Sequence, residues 1–171
     1  DIIKDCFLEC YAEEIFYDFK EIFMNLRSHV IFSDPWFTFY YAVILKNTQP
    51  HIAIHMLKAS LALFKSHNEK TGVILSLIQI MEYYLSMNIQ YNKIKPILKS
   101  TYTLYGQVYD KLTINCKISI NLTLAAAEFH VNNDLEKLRL YNKKALNLLK
   151  AIKLVKGRNV NCFFVKAYTN Q

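Results

Sequence analysis

The chain has 171 residues, 53% of them apolar and only 20% charged, which is enough to bury a substantial core and excludes a disordered tail. Three glycines and three prolines are too few turn-formers for an all-β fold with its many hairpins. No run of eighteen apolar residues exists to span a membrane, the longest candidate, Gly72 to Met81, being broken by Ser76 and Gln79.

The net charge of +7 is unevenly spread: residues 1 to 21 hold seven acids against two lysines, and residues 92 to 171 hold fourteen Lys/Arg against four acids. This predicts a charge dipole along the molecule. Clustered bases suit nucleic acid or an acidic partner, but a general bias of the source toward Ile, Asn, Tyr and Lys would produce them as well.

The chain opens on Asp1 rather than Met, with an acidic amphipathic segment that lacks the basic start and apolar run of a signal peptide. It reads as a fragment of a larger cytoplasmic protein, residues 1 to 171 forming one helical-repeat domain. Ile2 to Ala12 is expected as a first helix. Glu14 to Leu26 is expected as a second, its Ile15, Phe16, Phe19, Ile22, Phe23 and Leu26 recurring at helical spacing. Ser33, Asp34 and Pro35 start a third helix to about Lys46, a short polar cap followed by a first-turn proline.

Asn47 to Pro50 repeat that signal, and Ile52, Ala53, Met56, Leu57, Ala59, Leu63 and Phe64 mark the apolar face of a fourth helix ending near Ser66. Asn68 to Thr71 open a fifth, through about Met87. A sixth carries Ile94, Ile97, Leu98, Tyr102 and Leu104, with Pro96 in its first turn, and ends before Gly106. Asp110 to Val131 form a seventh, Asn132 to Asp134 turn and cap, and Leu135 to Leu154 form an eighth. Val160 to Tyr168 is either a ninth helix or a strapped-down tail.

The second helices of successive pairs start near Glu14, Pro50, Tyr91 and Asp134, intervals of roughly 36 to 43 residues that match helix-pair repeats. The expected fold is therefore all-α, a right-handed superhelical stack of about eight or nine antiparallel helices whose concave surface suits binding.

The stretch Asp34-Pro35-Trp36-Phe37, Tyr40-Tyr41-Ala42, Pro50-x-x-Ala53, Leu57-x-Ala59, Leu63-Phe64 and Glu69-x-x-Gly72 resembles the tetratricopeptide-like region of large bacterial signal-responsive regulators of the maltose-activator type. The likeness covers about a third of the chain. Asn133-Asp134-Leu135-Glu136 through Tyr141, Ala145, Leu146 and Leu149 also looks like the second helix of an ordinary tetratricopeptide unit. These are packing motifs, with Ala42, Ala53 and Ala59 as the small residues that let helices approach. The resemblance implies nucleotide-binding and DNA-binding modules elsewhere, with this segment receiving a protein or ligand signal. No GxxxxGK[ST] loop lies in these residues.

No GxSxG or comparable arrangement marks an activated nucleophile, and the neighbouring Glu13 and Glu14 point apart on a helix, so the chain is read as no enzyme, with no cofactor and no metal. Cys6, Cys10, Cys116 and Cys162 lack CxxC spacing and are expected as reduced core thiols. His51 and His55, at i and i+4, are expected to face solvent.

The candidate contact surface is the basic eighth helix, with Lys137, Arg139, Lys143, Lys144, Lys150 and Lys153, where an acidic protein or a nucleic-acid backbone could sit; a merely solvated face is the plain alternative. Tyr41, Tyr84 and Tyr102 are candidate groove aromatics. The expected function is a non-catalytic sensor or scaffold segment of a bacterial transcription regulator. Its partner is a protein or peptide, or else a small-molecule effector, with neither membrane nor nucleic acid expected on this segment. The alternatives are a stand-alone peptide-binding adaptor and a basic nucleic-acid-binding repeat.

Overall fold

The structure, a computed structural model, describes residues 20–87 and 91–156. They are all-helical, with no strand among them, and none of their helices is long and apolar enough to cross a membrane. Two short helices, α1 (Lys20–Asn25) and α2 (Ser28–Ser33), precede six long ones: α3 (Pro35–Leu45), α4 (Pro50–Ser66), α5 (Lys70–Ser86), α6 (Tyr91–Val108), α7 (Ile114–Asn132) and α8 (Leu135–Lys156). Six long helices among the described residues thus stand against the eight or nine helices expected for the whole chain. The expected helix Ile2 to Ala12, the first part of the second, and Val160 to Tyr168 lie outside the described residues.

Polar caps set most helix starts. Asp34, extended, accepts from the amides of Trp36 and Phe37 at 2.8 and 3.2 Å, satisfying amides that the first turn leaves without an intrahelical partner. Glu69 does the same for Thr71 at 3.1 Å, and Asp134 for Lys137 at 2.9 Å. Gln49, by contrast, makes no side-chain cap, so α4 starts on Pro50 alone. Asn68 and Asn133 take positive φ, 54° and 52°, where asparagine replaces the usual glycine and lets the chain reverse; Glu69 N–H then donates to Phe64 O, and Asp134 N–H to Glu128 O.

Three boundaries differ from expectation. Residues 28 to 33 are helical although they carry no periodic apolar pattern, seating Ile31 in the core and giving Thr38 Oγ1 a carbonyl partner at Ile31. α6 runs through Gly106 to Val108, because Gly106 keeps ordinary helical backbone and stands in open space. Because α6 starts at Tyr91, Pro96 sits inside it and not in its first turn. Asp110 belongs to a 3-10 turn, Tyr109–Lys111; α7 starts at Ile114, where Thr113 caps the Cys116 amide.

Each long helix packs on the next in sequence, and α3, α5 and α7 also touch one another in order. α5 is the centre: every residue from Thr71 to Met81 is buried. Trp36 and Phe39 of α3 meet Phe64 of α4, with Trp36 and Phe64 only 4.7 Å apart between ring centroids, and Tyr40 packs against Phe39. That ring lies where a Cβ on Gly72 would stand, 2.2 Å away, so glycine is what lets α5 approach α4.

Ala42 and Ala53 are fully buried at close approaches, as expected, but Ala59 is exposed. Its neighbour Ser60 takes the buried role, with Oγ 3.3 Å from Ser76 Oγ across the α4–α5 contact. Ala59 forms part of the motif spacing but falls one residue, about 100°, off the contact line.

Candidate partner-binding surface

Helix α8 rests on α7 through Ala145 and Leu149 against Ile118, with Leu122, Leu148 and Ile152 around them. The opposite face is solvent-exposed and carries Arg139, Lys143 and Lys150, with Leu140 among them. Lys153 lies on the same helix, its side chain outside the described part. Of the basic residues singled out from the sequence, Arg139, Lys143 and Lys150 share this face, and two others are engaged with neighbours. Lys144 lies over the Tyr141 ring, 5.0 Å from its centroid. Lys137 pairs with Glu128 at 3.2 Å and Asp134 at 3.4 Å.

Glu128 is completely buried near the end of α7, and its two oxygens gather three helices. Tyr102 of α6 donates to one, which Lys137 of α8 shares, and Asn132 Nδ2 donates to the other at 2.6 Å. A buried carboxylate persists only when so supplied. Burial, and then the bond to Glu128, push the Tyr102 hydroxyl far above its ordinary range, so it stays a donor. The Glu128 hydrogen bond likewise raises Lys137, whereas the Lys137 amide lowers Asp134.

The three candidate aromatics do not share one groove. Tyr41 stacks on Phe23 of α1, 6.2 Å between centroids, and Tyr102 stacks on Tyr141. Tyr84 lies between α4 and α6, with Lys58 Nζ 6.0 Å and Lys93 Nζ 5.8 Å from its ring centroid. His51 and His55 are both exposed, as expected, and His51 Nδ1 is 3.4 Å from Tyr83 OH. Cys116 is buried on α7, and burial raises its thiol, which makes it a packing residue rather than a nucleophile. Cys6, Cys10 and Cys162 lie outside the described residues.

A polar seam that the sequence reading missed joins α3, α5 and α7. Lys46, at the end of α3, donates to Gln79 Oε1 and Glu82 Oε2, both at 2.9 Å. Gln79 Nε2 donates to the same Glu82 oxygen at 3.0 Å, while Thr123 of α7 donates to Glu82 Oε1 at 2.9 Å. Gln79 and Glu82 are three residues apart on an otherwise apolar helix, so they share a face. That spacing was the available signal; it reads from sequence only as an interruption of an apolar run.

Comparison of the chain with protein-family models, with curated proteins and with solved structures found no match in any of the three. Its function is therefore argued from its own residues.

Proposed function

We propose that this chain is a non-catalytic binding segment of the tetratricopeptide-like kind, in which α3/α4, α5/α6 and α7/α8 are successive pairs of a right-handed superhelical stack. The observation that carries the reading is the alternation of contacts: α3, α5 and α7 touch in order, while α4, α6 and α8 each pack against the odd-numbered helix before them. A helix pair of this type cannot bury its own apolar face, and stacking on the next pair does so. The Lys46–Glu82–Thr123 seam holds the odd-numbered layer in register, and the remaining surface is left for a partner.

The resemblance of residues 34 to 87 to regulators of the maltose-activator type makes the sensor or scaffold part of a cytoplasmic bacterial regulator the favoured setting, with a protein, peptide or small effector as its signal. Determining the full reading frame around the segment tests this. A phosphate-loop module and a DNA-binding module in the same chain support the regulator, and their absence leaves a stand-alone adaptor.

A further inference from the structure

Helices α4 and α6 flank α5 and leave a groove whose floor is α5 itself. At one end the groove is lined by Lys65 and Asn68, by Lys70, Val73 and Leu77 of α5, and by Ser100, Thr103 and Leu104 of α6, around a volume of about 420 Å³. Toward the other end of α5, Tyr84 stands between Lys58 of α4 and Lys93 of α6. Val73, Leu77 and Tyr84 are separated by four and seven residues and so lie on one face of α5. The cavity and the Tyr84 site thus lie along the same face of α5, and together they span about 16 Å of it at 1.5 Å per residue, a stretch taken as one trough.

Its walls are cationic. Lys58 and Lys65 are one heptad apart on α4 and both exposed, as is Lys93 opposite, and none of the three forms an ion pair among the described residues. Lys70 reaches Gln107 at 3.0 Å. The nearby acids point elsewhere: Glu69 accepts from the Thr71 amide, and Glu82 is committed to Lys46 and Thr123. Lys65 and Lys70 thus stand on a cavity lining of valine and leucine that holds no carboxylate, and Lys58 and Lys93 flank Tyr84 farther along the same face.

We infer that this trough binds a short extended peptide in which acidic side chains alternate with apolar ones. This inference rests on the reading of the chain as a binding segment and places its partner between the outer helices rather than on α8. Extended chain advances about 3.3 Å per residue, so about five residues fill the trough. Alternation sends apolar side chains down to Val73, Leu77 and Leu104 and carboxylates toward the lysines. A single-stranded nucleic acid fits less well: the floor offers aliphatic carbon rather than open ring faces, and the one ring there, Tyr84, is buried with ammonium groups beside it.

The test is fluorescence anisotropy with a labelled eight-residue peptide alternating glutamate and leucine, compared with its lysine–leucine counterpart and with oligothymidylate. The acidic peptide is expected to bind at low salt and to weaken as salt rises, and Lys65→Glu with Lys93→Glu is expected to cost it about tenfold or more. The reversal Lys143→Glu with Lys150→Glu on α8 is expected to leave binding within about twofold, since that face lies outside the trough. Circular dichroism melts confirm that the exposed-lysine variants fold. No binding of the acidic peptide, tighter binding of oligothymidylate, or greater sensitivity to the α8 reversal overturns the inference. The flanking modules test the binding-segment reading separately, so failure here removes the trough and not that reading.

Discussion

The two ends of the helical array are held by different physics. Around α3, α4 and the start of α5, the contact is aromatic and volume-limited: Trp36, Phe39, Tyr40 and Phe64 fill the space, and Phe64 occupies the place a side chain on residue 72 would need. Around α7 and α8, the second apolar cluster has Ile118, Ala145 and Leu149 buried among the described residues, and a completely buried carboxylate, Glu128, draws α6, α7 and α8 together. The first end is specified by shape alone among these contacts, and at the second a buried hydrogen-bond cluster is added to apolar packing. The first should respond to changes in volume and the second to changes in charge.

Trp36→Ala should therefore be the most damaging change, about 4 kcal/mol for a cavity at the aromatic junction. A loss under about 1 kcal/mol in urea unfolding would show that the neighbouring rings close the gap freely. Glu128→Ala should cost about 3 kcal/mol, because it leaves a cavity and removes the buried acceptor of Tyr102, whereas the exposed Asn132 and Lys137 can turn to water. Glu128→Gln keeps an acceptor and should recover part of that loss; equal loss in both variants would mean that packing, not hydrogen bonding, is what Glu128 supplies.

Gly72→Ala should cost about 2 kcal/mol by forcing the Phe64 ring aside, and adding Phe64→Leu should make the alanine nearly neutral. Without such rescue, the close approach of α5 to α4 has another cause. The smallest effect belongs to Asp134, whose carboxyl is held below the ordinary aspartate value by the Lys137 amide. A lowered folded-state value means that its stabilisation is fully present above the unfolded value, about 4, and fades as pH falls through the folded one. Asp134→Ala should lower the melting temperature at neutral pH, with the gap to the native chain closing in acid; a gap independent of pH would exclude the ionised cap.

Much of the fold was legible where local chemistry decides. Asp34-Pro35 and Asp134 announced their helix starts because a cap is a local event, and Asn68 and Asn133 fell at the expected reversals. Gly106 and Asp110 misled because a glycine or an aspartate permits a break without requiring one, and here Thr113 supplied the cap three residues later. Ala59 misled through its spacing, since one residue of drift turns a contact position out to solvent.

The surface features were less legible. The basic row on α8 was visible because it lies along one helix, but the loss of Lys137 to Glu128 depends on a residue nine positions earlier and could not be read from composition. The seam and the trough each need side chains from three helices, so no window of sequence contains them. The three tyrosines expected in a groove stand in separate settings, Tyr41 on Phe23, Tyr102 on Tyr141 and Tyr84 beside Lys58 and Lys93.

The proposed stack depends most on α3, α5 and α7 forming one layer with α5 in the middle, because that layer makes α4 and α6 the walls of the proposed trough. Side-chain NOEs between Thr123 and Glu82, together with those between Lys46 and Glu82, test it most directly. Both sets should be present, as expected for groups joined at 2.9 Å. If Thr123 shows contacts to α8 and none to Glu82, the layer does not exist, and the stack and the trough fall with it.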